Sequence, residues 1–349
     1  MSASVSGRGR RVKGCNRKFR KVDNDVIRFR KAVDDRKTLG LRAYFGVSAI
    51  SVSSVANFLM ILSKINIYPI KSCRGISLAE AIVEARGLQF DRRWMLVDEN
   101  NRFLTQREYP VMATIATRIE NGKLEAESDG LSLEIATNPV TTVPASDTRS
   151  RVERVTVWQS EVSAAVYGDE VNDFFSDVLG AKVRLVYMRD GEHRHINPRF
   201  DRGDDIVSFA DGYPLMLLSE ASVEELNSRL EKPLPMNRFR PNLVVSGAEA
   251  FAEDDWKVIR VGEAVFRSTK PCERCVITTT DQARGEVDGK EPLKTLATYR
   301  QAKMVMPDRL EAFGVPGNAV LFGQNLVNET AGVTIRVGDA VEVLEKYEA

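Results

Sequence analysis

Two cysteines three apart, Cys272 and Cys275, carry the chain's most reactive side chains in one short stretch, Lys270 to Arg300. A Cys-x-x-Cys can hold zinc, hold part of an iron–sulfur cluster, cycle through a disulfide, or present one thiolate to a metal. Structural zinc needs four ligands, usually from a second pair at matching distance. The other cysteines, Cys15 and Cys73, are isolated, and the two histidines, His193 and His195, lie together in a separate polar run. A four-thiolate cluster would need a third and a fourth suitably placed cysteine. A thioredoxin-type pair opens a helix, where the dipole lowers a thiol's pKa. Here Val276-Ile277-Thr278-Thr279-Thr280 follows, a β-branched run that favours an extended backbone, so the pair is expected at the entrance to a strand. Two possibilities remain open: a buried inert pair, or one thiolate as the single soft protein ligand to a metal carried inside an organic cofactor. If that cofactor is phosphorylated, loops elsewhere must supply cations; Lys71-Ser72, Arg92 and Arg240 sit in or beside loops at strand boundaries.

These residues need a scaffold, and the remaining pattern is mostly β. Ile61 to Tyr68 alternates as a strand ended by Pro69, and Ile70 to Gly75 is a loop with two cations and a hydroxyl. Asp91 to Val97 reads as a strand, Asp98 to Asn101 as a turn and Arg102 to Gln106 as its hairpin partner. Asn121-Gly122 and Asp129-Gly130 are strong hairpin signals between strands near 114–119, 123–127 and 131–135. Val152 to Val166 supplies one or two more strands. Val171, Phe174, Phe175 and Val178 share one face of a helix with Asp169 as N-cap and Gly180 closing it, and Lys182 to Met188 is a further strand. His193 and His195 lie in a charged connector and are expected to be solvated. Ser222-Val223-Glu224-Glu225 reads as a capping box opening a helix. A basic loop, Arg238 to Asn242, precedes a strand at 243–245. Ile259 to Val265 is echoed by Ile335 to Val341, as suits strands closing a small barrel.

The chain has 349 residues, 50 basic and 49 acidic, so no global field points to a nucleic-acid partner. Four cysteines are too few for a secreted disulfide scaffold, which leads us to expect a reducing compartment and a cytoplasmic protein. No stretch of about 18 apolar residues is present, so no membrane span is expected. Residues 1–59 are basic and then Ser-rich, with Asp23, Asp25, Asp34 and Asp35 arguing against a transit peptide. They are expected to be a disordered extension or the result of a start set too far upstream, with Met60 as the natural first residue.

The sequence strongly resembles the MOSC proteins, and more closely their amidoxime-reducing-component branch and its bacterial relatives that confer resistance to N-hydroxylaminopurine. The resemblance rests on Lys71-Ser72-Cys73-Arg74-Gly75, Asp91-Arg92-Arg93-Trp94, Arg240-Pro241-Asn242, Cys272-Glu273-Arg274-Cys275 with Thr278-Thr279, and Glu291-Pro292-Leu293-Lys294-Thr295-Leu296, and covers about Leu62 to Leu344. It implies an α+β, β-rich fold: a β-barrel-like MOSC N-terminal domain over 60–185, packed on a MOSC β-barrel domain over 186–349 with a few helices. It implies a molybdenum cofactor, molybdopterin carrying molybdenum, with Cys275 as catalytic residue and metal ligand. Cofactor contacts carry over to Lys71, Ser72, Arg92, Arg240, Asn242, Glu273, Arg274 and Cys275, and, through backbone, to Gly212 and Tyr213. Where Glu273 stands, some relatives have Ser. The implied activity is reduction of small N-hydroxylated substrates, bases or amidoximes. Some bacterial relatives carry a C-terminal ferredoxin domain; this chain has no cysteine beyond Cys275, so electrons are expected from a separate protein of ferredoxin, flavodoxin or cytochrome b5 type. Asp281 and Arg300 lie near the cysteine stretch and are expected to be solvated unless they assist. The alternatives are a sulfur carrier using a Cys275 persulfide and a molybdenum-cofactor carrier.

Overall fold

Strand signals dominate the sequence, and sheets dominate the structure. A computed structural model describes residues 59–137 and 151–348. The basic first segment, expected to be an extension, lies outside the described residues up to 58.

The largest sheet has eight strands in the order β2 (Ile76–Leu78), β1 (Ile61–Ile67), β13 (Leu243–Ser246), β12 (Leu215–Ser219), β18 (Leu321–Asn328), β15 (Ala264–Glu273), β14 (Trp256–Val261) and β20 (Val341–Lys346). Backbone bonds from Leu62 N to Asp339 O (2.9 Å) and from Val341 N to Met60 O (2.8 Å) tie β1 to the start of β20. The sheet therefore curls back on itself, which removes the unpaired edge a flat sheet would expose. Its inner face is packed with Leu62, Ile65, Leu217, Leu243, Val245, Phe266 and Leu326, all at most 2% exposed. Strand β1 comes early in the chain yet sits among strands from the C-terminal half.

A second sheet, β5 (Trp94–Val97), β11 (Arg184–Met188), β10 (Ser160–Val166) and β9 (Val152–Val157), packs against α1 (Asp169–Leu179). The meander β6 (Ala116–Glu120), β7 (Lys123–Ser128) and β8 (Leu131–Ala136) covers that helix's apolar face through Leu124 and Ile135. Its turns are as the sequence demands: Asn121 and Gly122 have φ of 51° and 71°, Asp129 and Gly130 of 51° and 79°, the paired positive values of a type I′ hairpin. Smaller sheets join β3 (Glu80–Glu84), β4 (Gly87–Leu88) and β19 (Val333–Arg336), and β16 (Thr280–Asp281) with β17 (Glu286–Val287). Short helices α2 (Glu220–Ser228), α3 (Leu293–Leu296), α4 (Ala302–Val305) and α5 (Leu310–Phe313) fill the connections.

Several local expectations are corrected. The cysteine pair stands at the exit of β15, and Val276–Thr279 is a 3₁₀ turn rather than a strand. Thr278 Oγ1 donates to Cys275 O (2.9 Å) and Thr279 Oγ1 to Val276 O (2.7 Å), so the threonine side chains close the turn that their β propensity disfavours. Residues 91–93 form a turn, with Arg92 at φ 47°, and the strand starts only at Trp94. Residues 102–106 make only isolated bridges, among them Phe103 to Val97. Gly168, not Asp169, caps α1. Ser219 caps α2 by accepting from Ser222 N, while Ser222 is itself helical and donates to Glu253. The echoed segments part company: 259–265 is the hairpin of β14 and β15, whereas 335–341 runs from β19 in one sheet to β20 in another. They nevertheless meet, since Gly262 N donates to Ala340 O at 3.1 Å.

Candidate functional site

Five chain segments converge on one cleft of about 150 Å³. The loop after β1 brings Lys71 and Ser72, the turn before β5 brings Arg92, and the segment before β12 brings Asp211, Gly212 and Tyr213. The 3₁₀ turn at Met236–Phe239 and its exit bring Arg238, Arg240 and Asn242, while the exit of β15 brings Cys272, Arg274 and Cys275. Nine of the ten sequence-derived contacts thus share one lining. Glu273 does not: its side chain pairs with Lys270 and is absent from the cleft wall.

The lining carries five cations, Lys71, Arg92, Arg238, Arg240 and Arg274, against one carboxylate, Asp211. Arg238 pairs with Asp288 and Arg92 with Asp91. Arg240 and Arg274 have no carboxylate partner among the described residues. Arg274 is spent on the backbone, with Nε donating to Phe322 O (2.7 Å) and Nη1 to Phe239 O (3.2 Å). Arg240 reaches Gln282 Oε1 (3.3 Å), and its other terminal nitrogen, Nη2, is buried without a partner. Leaving such a donor unmet in a protein interior costs about 1–3 kcal/mol. Burial also pulls this guanidinium down to about 10, offset in part by the Tyr68 hydroxyl and deepened by Arg92, so it remains charged at neutral pH.

Three non-glycine lining residues hold left-handed backbones: Ser72 at φ 70°, Arg92 at 47° and Arg240 at 54°. Each such conformation costs about 1 kcal/mol or more, and the surroundings hold them there. Asn242 Oδ1 accepts from Arg92 Nη1 (2.8 Å) and from Met216 N (3.2 Å), while its Nδ2 donates to Asn66 O (3.0 Å). Gln106 donates to Ser72 O (2.6 Å) and pairs head to head with Gln282, which also meets Arg240.

Lys71 Nζ donates to Phe209 O (2.8 Å) and to the Asp211 carboxylate. Burial lowers its pKa, against the pull of Asp211. Partial desolvation works to raise the Asp211 carboxyl, but Lys71 and then Arg107 outweigh it and hold the group well below the usual carboxylate range. Cys275 Sγ accepts from Arg107 Nη2 at 3.3 Å. Cys272 is packed against the cluster around Phe239 and Phe322, and burial raises its thiol's pKa.

Sequence reasoning missed several of these groups. Gln106, Arg107, Trp158 and Arg194 reach the site from segments outside the recognised motifs, and Tyr68, Asp211 and Gln282, though close to those motifs in sequence, carry no signature of their own. Arg194 is buried between the two exposed histidines; its Nη1 donates to Ser208 O (2.9 Å) and Ala210 O (2.6 Å), and its Nη2 to Asp211 O (2.7 Å), fixing the segment that ends in Gly212 and Tyr213. Asp211 sits beside Gly212, the one position whose neighbourhood could have flagged it. Arg300 is buried and paired with Asp254, and Asp281 is half-buried beside Arg238 and Arg284, so neither is the solvated residue expected.

An anion-seeking end and a cysteine sulfur in one cleft fit a phosphorylated pterin that carries a metal. The unpartnered Arg240 nitrogen and the cation excess answer a phosphate, and Cys275 offers the soft ligand, since Cys272 is packed into the apolar cluster and its thiol is pushed up by burial. Among the described residues no cluster of three or more His, Cys, Asp or Glu side chains is arranged to hold a metal without such a carrier.

A family described as the MOSC N-terminal beta barrel domain matches residues 59–182, and one described as the MOSC domain matches residues 204–342. The chain is 36% identical over 292 residues to mitochondrial amidoxime-reducing component 1 of Xenopus laevis, spanning 80% of this chain and 81% of that protein. It is 33% identical over 291 residues to the Homo sapiens component 1, spanning 80% and 81%. It is also 36% identical over 265 residues to the molybdenum cofactor sulfurase of Oryza sativa subsp. japonica, spanning 69% of this chain and 31% of that protein.

Proposed function

The chain belongs to the MOSC proteins and, within them, to the amidoxime-reducing-component family, and from that premise we propose that it is a molybdenum-cofactor-dependent reductase of N-hydroxylated compounds. The observation that carries this reading is the sharing of one cleft by Cys275 with Lys71, Arg92 and Arg240. Arg240, Arg92 and Ser72 hold the pterin phosphate, Gly212 and Tyr213 lend backbone, and Cys275 ligates the metal as a thiolate. The bound cofactor would supply the redox chemistry: in sum the N–O bond breaks, two electrons and two protons enter, an N–H bond forms in its place and water leaves. The protein residues bind, orient and shield. Asn242 and Asp91 fix Arg92, the Gln106–Gln282 pair fixes Arg240, and Arg194 fixes the Asp211 segment. The electrons come from a separate donor protein of ferredoxin, flavodoxin or cytochrome b5 type.

A second reading is supported by the likeness to the sulfurase: Cys275 as a persulfide sulfur carrier. Metal analysis of the purified full chain separates the two. The reductase reading expects about one molybdenum per chain, lost in Cys275→Ala, with turnover of an amidoxime using an artificial electron donor; Cys272→Ala does much less harm. Full turnover by Cys275→Ala would sink it. Absent molybdenum with a cyanide-labile sulfur favours the carrier, and molybdenum without turnover favours a cofactor carrier.

A further inference from the structure

A second concavity adjoins the cofactor cleft on the far side of the cysteine turn. It has a volume of about 500 Å³, within the range of small-molecule sites. The two spaces share Arg274; Cys275 lines the first and its neighbour Val276 lines the second. Arg107, whose guanidinium donates to Cys275 Sγ at 3.3 Å, also lines the groove. The groove therefore ends beside the sulfur.

Its wall has two characters. Val276, Leu293, Ala297 and Val320 give an apolar floor, and Val276 is 56% exposed. Arg107, Arg274, Lys290 and Lys294 supply four cations, and no carboxylate is in the lining. None of the four forms an ion pair among the described residues. The acids next to them in sequence are engaged elsewhere: Asp288 pairs with Arg238 and Arg284, and Glu291 accepts from Thr295 N at 3.0 Å. Arg107 senses the Asp211 carboxylate and Arg274 is held by backbone carbonyls, but Lys290 and Lys294 have no side-chain partner among the described residues, and a cationic rim on an apolar floor calls for an anion attached to an apolar body.

On the reductase reading of the neighbouring cleft, we propose that this groove is the substrate subsite, and that it selects N-hydroxylated molecules carrying an anionic group on a flat apolar body. The N–OH end lies toward Cys275, and the anionic end toward Lys290 and Lys294. A concave pocket of this size suits a small molecule better than the convex face of an acidic redox protein, and that alternative is an outcome of the test.

The test uses the molybdenum-loaded full chain, an artificial electron donor, and two probes: a neutral aryl amidoxime and the same amidoxime with a para-carboxylate. Wild type is expected to favour the carboxylate in kcat/KM by about tenfold at low ionic strength, a preference that shrinks with salt. In the double variant Lys290→Glu with Lys294→Glu, both at exposed positions, that ratio should fall to about one or below. Calorimetric titration of the carboxylated amidoxime, without reductant, reads binding apart from turnover and should weaken by a similar factor. If neither probe turns over but charge reversal still weakens binding, the subsite stands and the reductase reading falls. A ratio unchanged by charge reversal overturns the subsite. If the variant slows only turnover driven by a protein donor, the groove is a docking face and the proposal fails.

Discussion

The guanidinium of Arg240 lies over the ring of Tyr68, 4.2 Å from its centroid. Arg92 lies over the same ring at 4.3 Å. Two like charges are thus brought to one buried aromatic, and the electron-rich ring is what makes their approach tolerable. Tyr68 is anchored in turn: its N–H donates to Asp91 Oδ1 (2.8 Å) and its hydroxyl to Pro241 O (3.1 Å). Desolvation, against the pull of the two guanidiniums, pushes this phenol up to about 12, so it stays a neutral donor across the working range.

Replacing the ring and removing the hydroxyl should therefore have different consequences. Tyr68→Phe loses one hydrogen bond while Pro241 O keeps its bond from Asn66 Nδ2, so the expected cost is about 1 kcal/mol with molybdenum content retained. Tyr68→Leu removes the shared platform of both guanidiniums, and each such contact contributes about 0.5–2 kcal/mol. We expect it to lower both thermal stability and molybdenum per chain, read by melting and metal analysis. Equal molybdenum in both variants would show that the ring does not position the two arginines.

Asp211 offers a test by pH. Lys71 and Arg107 hold its carboxyl below the ordinary range, and Trp158 Nε1 adds a hydrogen bond at 3.2 Å. Since the folded state binds the proton more weakly than the unfolded, the contribution of this group is full above about pH 4 and is lost as pH falls through the lower folded value. Asp211→Asn keeps an acceptor but not the charge, leaving Lys71 buried with Phe209 O and a neutral amide. At pH 7 it should cost about 1–2 kcal/mol, and the gap to wild type should narrow steadily below about pH 4. A gap that stays constant from pH 7 to pH 3 would show that the charge on Asp211 does not support the fold.

How far the site could be read from sequence follows from how each residue is held. Hairpins at Asn121-Gly122 and Asp129-Gly130 were legible because two positive φ values in a row restrict which residues can stand there. The α1 face was legible from its period, and nine cleft residues from their likeness to a known pattern. Arg107 was not, because what makes it matter is a contact with Cys275 across 168 residues. Gln106 and Gln282, 176 residues apart, are equally ordinary until they face each other. The β-branched run after Cys275 misled for a local reason: Thr278 and Thr279 can bond back to carbonyls three residues earlier, and tertiary placement selected that turn over the strand.

Gly323 lies within β18 at φ 81°, a conformation that disfavours any side chain. A Cβ there would come within 2.7 Å of Leu217 O, 3.1 Å of Met216 Sδ and 3.4 Å of Arg274 Nη2. Leu217 O is backbone of the neighbouring strand and cannot swing away, so the strand and Met216 must give, and Met216 Sδ is what Arg274 Nη2 rests on at 3.4 Å. Overpacking of this kind costs about 1–3 kcal/mol, beyond about 1 kcal/mol for the left-handed backbone. Gly122→Ala supplies the comparison: φ is 71°, but nothing lies within 4 Å of the added carbon, so only the backbone cost remains. Urea unfolding should therefore place the midpoint of Gly323→Ala well below that of Gly122→Ala. Because Arg274 lines both the cleft and the groove, only the Gly323 variant should also lose molybdenum. Equal midpoints for the two would mean that β18 and β12 have room the packing does not show.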